Sequence, residues 1–165
     1  MVLPHLDAAY NLARWLTGDA HDAEDVVQEA CFRALKFIDG FRGGNARAWW
    51  LTIVRRTAYS WIAQHRAHAP LPEPEPDGAQ IEDPSANPDT VLARSSDILA
   101  VRRALEQLPV EYREVLVLRE MEELSYQEIA DAVGIPIGTV MSRLARARRH
   151  VQQLLVREIP TPGSP

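Results

Sequence analysis

Five side chains near the C-terminus, Thr139, Ser142, Arg143, Arg146 and Arg149, recur at spacings of three and four. On a helix this spacing gathers them on one outward arc. Guanidinium groups pair bidentately with guanine edges, and hydroxyls reach phosphates or bases. The chemistry they fit is reading duplex DNA. A second set, Arg55, Arg56, Tyr59 and Arg66, mixes cations with an aromatic ring. On an exposed helix face such a mixture suits a nucleic-acid backbone and unstacked bases. A third set, Asp25, Gln28, Glu29 and Phe32, shares one helix face with Lys36. A large aromatic on a polar face marks a protein-binding patch. The other reading of Phe32 is that it packs beneath the preceding helix.

Catalytic chemistry is harder to find. His65 and His68 lie at i, i+3, and His21 and Asp25 at i, i+4, spacings open to a metal, but no third convergent ligand accompanies either pair. There is no glycine-rich phosphate loop after a strand, no nucleophile elbow and no paired acid arrangement. The single cysteine, Cys31, sits inside an apolar stripe and reads as a small buried hydrophobe. No enzyme activity, metal or cofactor is expected.

The elements that must position these residues are helices. A first helix covers about 4–17 and stops at Gly18; Asp19 or His21 opens a second. There Val27, Ala30, Cys31, Ala34, Leu35 and Ile38 form an apolar stripe. The break Gly40-Phe41-Arg42-Gly43-Gly44-Asn45 precedes a long helix over about 45–67. Its inner stripe is Trp50, Ile53, Val54, Thr57 and Trp61, with Arg55, Arg56 and Tyr59 on the opposite, outer side. Trp15, Trp50 and Trp61 are expected in the core. Six of the twelve prolines lie in 70–88, alternating with acids, which reads as an extended linker.

Beyond it, one helix ends at Leu108-Pro109 and the next runs to about Met121. Ser125-Tyr126-Gln127-Glu128 is a capping box, with Leu124 and Ile129 placed as a hydrophobic staple. Gly134 ends that short helix. A turn leads into a last helix near Thr139, with Val140, Leu144, Ala147, Val151 and Leu155 inward. Two helices joined this way make a helix-turn-helix. The chain therefore reads as all-α, with two small helical domains. They are 1–68 and 98–157, joined by a flexible acidic linker over 69–97 and followed by a disordered tail, 158–165.

The net charge of −5 hides a pattern. Residues 40–68 and 133–157 each carry five basic and no acidic residues. Residues 4–39 and 98–132 are each net −4, and 69–97 are net −6. Acid-free basic stretches are an electrostatic footprint for phosphate even in an acidic chain. No apolar run reaches the length of a membrane span and no signal peptide opens the chain, so a soluble cytoplasmic protein is expected.

With these segments in order, the chain resembles the extracytoplasmic-function sigma factors, the smallest two-domain type of the sigma-70 family. The likeness runs over about 4–157. It is carried by Asp22 to Glu29 with Phe32 and Arg33, by Phe41-Arg42 through Arg47-Ala48-Trp49 to Arg55, by Leu108 to Arg113, and by Leu124 to Ala130 through Gly138 to Arg148. The resemblance implies a division of labour. Asp25, Gln28, Glu29 and Phe32 would dock on the β′ clamp helices of core RNA polymerase. Arg42, Asn45, Arg47, Arg55, Arg56 and Tyr59 would open the −10 element and hold single-stranded bases. Thr139, Ser142, Arg143, Arg146 and Arg149 would read the −35 duplex. The acidic helices of the second domain would face the β flap.

Many members of the family are clamped by an anti-sigma factor, so such a partner is implied too. Two positions depart from the family pattern: Arg56 where Asn is common, and Ser60 where Asp is common. The linker, about 30 Å long as a coil and about 90 Å extended, must stretch to join promoter elements on the order of 50 Å apart. The alternative reading is a helix-turn-helix regulator that binds its operator without polymerase.

Overall fold

The computed structural model describes residues 3–66 and 91–158. Most of the proline-acid segment and all but the first residue of the tail, 159–165, lie outside the described residues. After a 3-10 turn at Leu3–His5, the first domain holds α1 (Leu6–Thr17), α2 (Ala20–Phe37) and α3 (Ala46–Arg66). The second holds α4 (Val91–Gln107), α5 (Val110–Leu116, prolonged by a π turn to Met121), α6 (Tyr126–Val133) and α7 (Ile137–Glu158). No strand occurs among the described residues. Helix α4 starts seven residues inside the segment read as linker, and α7 reaches the first residue read as tail.

Local chemistry fixes these boundaries. Gly18 ends α1 at φ 76°, a left-handed conformation that costs glycine no Cβ clash. The Asp19 carboxylate caps α2 by accepting from the His21 and Asp22 N–H groups. Those bonds hold its pKa below the ordinary carboxylate value, with the Asp22 N–H leading. Asn45 caps α3 in the same way, accepting from Arg47 and Ala48 N–H groups. Pro109 precedes α5, and its carbonyl accepts from Tyr112 and Arg113.

The three helices of the first domain pack on one another. The buried face of α2 is Ala23, Val26, Ala30 and Ala34, of which the stripe read from the sequence contains Ala30 and Ala34. Val27 and Cys31 are half-buried, while Leu35 and Ile38 are exposed. Packing selected the row of small side chains because alanines let α1 and α3 approach closely, and burial still pushes the Cys31 thiol pKa up. On α3, Trp50, Leu51, Val54, Thr57 and Ala58 are buried, whereas Ile53 and Trp61 are only half-buried. Trp15 is half-buried as well. Trp61 stacks on His65, with ring centroids 3.8 Å apart.

The two domains do not stand apart. Helix α1 packs on α5, and α3 packs on α6. Their buried side chains merge into one contiguous core. Arg113 ties this junction: its guanidinium donates to the carbonyls of Leu105, Glu106 and Leu108 within its own domain, and to the Trp15 carbonyl of α1 at 2.9 Å.

Candidate nucleic-acid interfaces

The helix-turn-helix is built as its residues dictate. Ser125 Oγ accepts from the Glu128 N–H at 3.1 Å, and the Glu128 carboxylate accepts from the Ser125 N–H at 2.9 Å. The bond to the Ser125 N–H holds the Glu128 carboxyl below its ordinary pKa, against a smaller push from burial. Leu124 and Ile129, the two ends of the staple, are both buried. Gly134 closes α6 at φ 78°. The Pro136 carbonyl then accepts from Thr139 and Val140, starting α7 two residues before Thr139.

Val140, Leu144 and Ala147 anchor α7 in the core, with Val151 and Leu155 half-buried. On its outer arc, Ser142, Arg146 and Arg149 are exposed, and Thr139 and Arg143 are half-buried. Ser142 Oγ donates to the Thr139 carbonyl. None of the three arginines has a hydrogen-bond or ion-pair partner among the described residues. Arg148, by contrast, is paired with Glu120 at 2.7 Å. The turn thus presents free guanidinium groups on a rigid, capped support.

The second set, taken with Arg42, Asn45 and Arg47, tells a different story. Arg42 and Arg56 are exposed, as the sequence predicts. Arg55 and Tyr59 are not on an open face. Arg55 donates to both oxygens of Glu114, at 2.8 and 3.1 Å, and its guanidinium lies 4.4 Å from the Tyr59 ring centre. Only 17% of the Arg55 side chain remains accessible, and Glu114 is 1% exposed. Burial works against the Arg55 charge, but the Glu114 carboxylate more than compensates and raises its pKa. Burial first, then the nearby Glu114 charge, push the Tyr59 phenol well above its ordinary pKa. Arg47 pairs with the buried Glu122 at 2.5 Å, and Asn11 donates to the same carboxylate at 2.9 Å. Asn45, while capping α3, donates to Glu128.

Sequence reasoning missed Glu114, Glu122 and Glu128 as partners. It assigned the acidic helices to an outside surface, whereas these three turn inward onto the first domain. The available signal was charge complementarity between the basic stretch 40–68 and the acidic stretch 98–132.

The third set is an open surface. Asp25, Gln28, Glu29 and Phe32 are all exposed, Phe32 by 70%. Phe32 therefore does not pack beneath α1. Glu29, Phe32, Arg33, Lys36 and Phe37 line a shallow groove, and Leu35 is 69% exposed beside them. The sequence placed Leu35 inside, so the apolar extent of this patch was under-read.

Sigma-70 region 2 matches residues 1–68 and sigma-70 region 4 matches residues 98–151. The chain is 34% identical to the ECF RNA polymerase sigma-E factor of Escherichia coli K12, over 79% of this chain and 72% of that protein. This chain belongs to the extracytoplasmic-function sigma factors of the sigma-70 family. It is also 34% identical to the ECF RNA polymerase sigma factor SigE of Mycolicibacterium smegmatis, over 95% of this chain but 61% of that protein. The chain thus spans about three-fifths of that relative's length. Among solved structures it is similar to the sigma factor RpoE of Bartonella quintana, crystallised with the anti-sigma factor NepR. That likeness has a TM-score of 0.73 and 32% identity, over 94% of each chain. Among the described residues no helix is long and apolar enough to cross a membrane.

Proposed function

We propose that this sigma factor binds core RNA polymerase, recognises −10 and −35 promoter elements, and starts transcription of a specific set of genes in the cytoplasm. It does so by binding, with no catalytic chemistry of its own. The exposed α2 face, Asp25, Gln28, Glu29 and Phe32, docks on the β′ clamp helices. Residues 1–68 hold the opened −10 strand through Arg42, Asn45, Arg47, Arg55, Arg56 and Tyr59. Extruding bases costs a few kcal/mol, which stacking at about 1–3 kcal/mol per base offsets. Residues 98–157 read the −35 duplex through Thr139, Ser142, Arg143, Arg146 and Arg149, and contact the β flap. An anti-sigma factor holds the chain inactive, as the Bartonella relative's complex with NepR suggests by similarity.

The observation that carries the reading is the capped helix-turn-helix with three unpaired arginines on α7, in a chain of this family. Gel-shift with and without core enzyme tests it. Promoter binding should require core. Tight sequence-specific binding by the free chain would overturn the reading in favour of a polymerase-independent regulator.

A further inference from the structure

We propose that the free chain is self-masked: carboxylates of the second domain occupy the residues that the first domain uses to hold the −10 strand. This rests on the −10 assignment above. Three contacts carry it, each joining one such residue to an acid across the domain junction. Asn45 meets Glu128, Arg47 meets Glu122, and Arg55 meets Glu114. They fall along α3 at its cap, in its first turn and about 12 Å further along its axis. A carboxylate presents two oxygens to a guanidinium as a phosphate does. Arg55 gives both its Nε and an Nη to Glu114, so no phosphate can take the same donors while the pair holds. Glu114 and Glu122 are buried in this arrangement. The Tyr59 ring lies beneath the engaged Arg55, and its hydroxyl is buried as well.

The masking is selective. Arg42 and Arg56 stay exposed, and so do Ser142, Arg146 and Arg149 on the arc of α7, where Thr139 and Arg143 are half-buried. The closed chain therefore keeps its duplex reader unpaired and engages the Asn45, Arg47, Arg55 and Tyr59 part of the single-strand site. Binding a single strand must first open the junction, and the apparent dissociation constant rises by the inverse of the open fraction. The same guanidinium groups cannot serve both partners, so whatever separates the domains also arms the −10 site.

The test uses the full chain with Glu114→Gln, Glu122→Gln and Glu128→Gln together. A control, Glu24→Gln, Asp39→Asn and Glu111→Gln, carries the same net charge but alters only exposed acids that make no ion pair across the junction. Binding of a fluorescein-labelled mixed-sequence 12-nucleotide DNA strand is followed by anisotropy across salt concentrations, and the radius of gyration by small-angle X-ray scattering. The junction variant should bind at least tenfold tighter than the control. Its salt slope should steepen by about 1.4, since each of two unmasked arginines adds about 0.7 on a single strand. Its radius of gyration should increase. Glu122→Gln with Glu128→Gln keeps the buried Glu114 and the capping-box geometry; it should shift the same way by a smaller factor, and it decides the matter if the triple variant loses its circular dichroism.

Affinity equal to the control's, or an unchanged radius, overturns self-masking. Permanganate footprinting of promoter opening by holoenzyme with Arg55→Ala separates the two ideas. Intact opening there sinks the −10 assignment, whereas lost opening alongside an inert junction variant sinks only the masking.

Discussion

Removing Arg55 should weaken the closed chain far more than removing an ordinary surface arginine. Its partner Glu114 is 1% exposed and receives both bonds. Breaking a buried ion pair by deleting one member costs about 3–5 kcal/mol, because the other charge is stranded. Arg55 keeps 17% of its surface, so solvent screening lowers the expected loss to about 2–3 kcal/mol. At about 1.4 kcal/mol per tenfold, this shifts the closing equilibrium about 30- to 140-fold. The assay is a double-mutant cycle in urea, using Arg55→Ala, Glu114→Ala and the pair. Each single variant should lose about 2–3 kcal/mol, and the double variant should lose little more than either one, because both partners are then gone. Losses that add, with each single variant within about 0.5 kcal/mol of wild type, would refute the reasoning.

Ser125→Ala should lower the stability of the second domain by about 1 kcal/mol, read as a lower urea midpoint, since it removes the acceptor for the Glu128 N–H. The same cap gives a pH signature. The folded-state pKa of Glu128 is depressed, so its contribution is present above the ordinary glutamate value and lost as pH falls through the folded value; thermal melts below about pH 4.3 should show that loss, and Glu128→Gln should flatten it. Arg143→Ala and Arg146→Ala should each weaken −35-dependent initiation by about 1–3 kcal/mol while leaving core binding intact, measured by promoter titration and by polymerase pull-down. Gln28→Ala with Phe32→Ala should do the reverse, because Phe32 is exposed and its loss leaves the fold unchanged by circular dichroism.

The helix-turn-helix was legible in the sequence because its signals are local. Ser125 and Glu128 cap one another within three residues, Gly134 supplies the left-handed stop, and Val140, Leu144 and Ala147 repeat at helical spacing. The buried face of α2 was harder to read. The stripe read from the sequence shares Ala30 and Ala34 with the buried face, and only the packing of α1 and α3 chooses Ala23 and Val26 to complete it over Val27, Leu35 and Ile38. That choice is tertiary, and it turned Leu35 outward beside Phe32. The state of Arg55 and Tyr59 was not legible at all from α3 alone, because their cover comes from Glu114, 59 positions away from Arg55. Segment charge carried the only trace of it. A +5 stretch and a −4 stretch in one chain can face outside partners or each other, and in this structure they face each other at Asn45, Arg47 and Arg55.

In vitro transcription with purified core RNA polymerase on fragmented genomic DNA, followed by sequencing of transcript starts, tests the central claim most directly. The account predicts discrete starts that need both core and this chain, share spaced −10 and −35 elements, and lose the −35 preference in Arg143→Ala. Starts that do not depend on the chain, or a chain that finds the same sites without core, would contradict it.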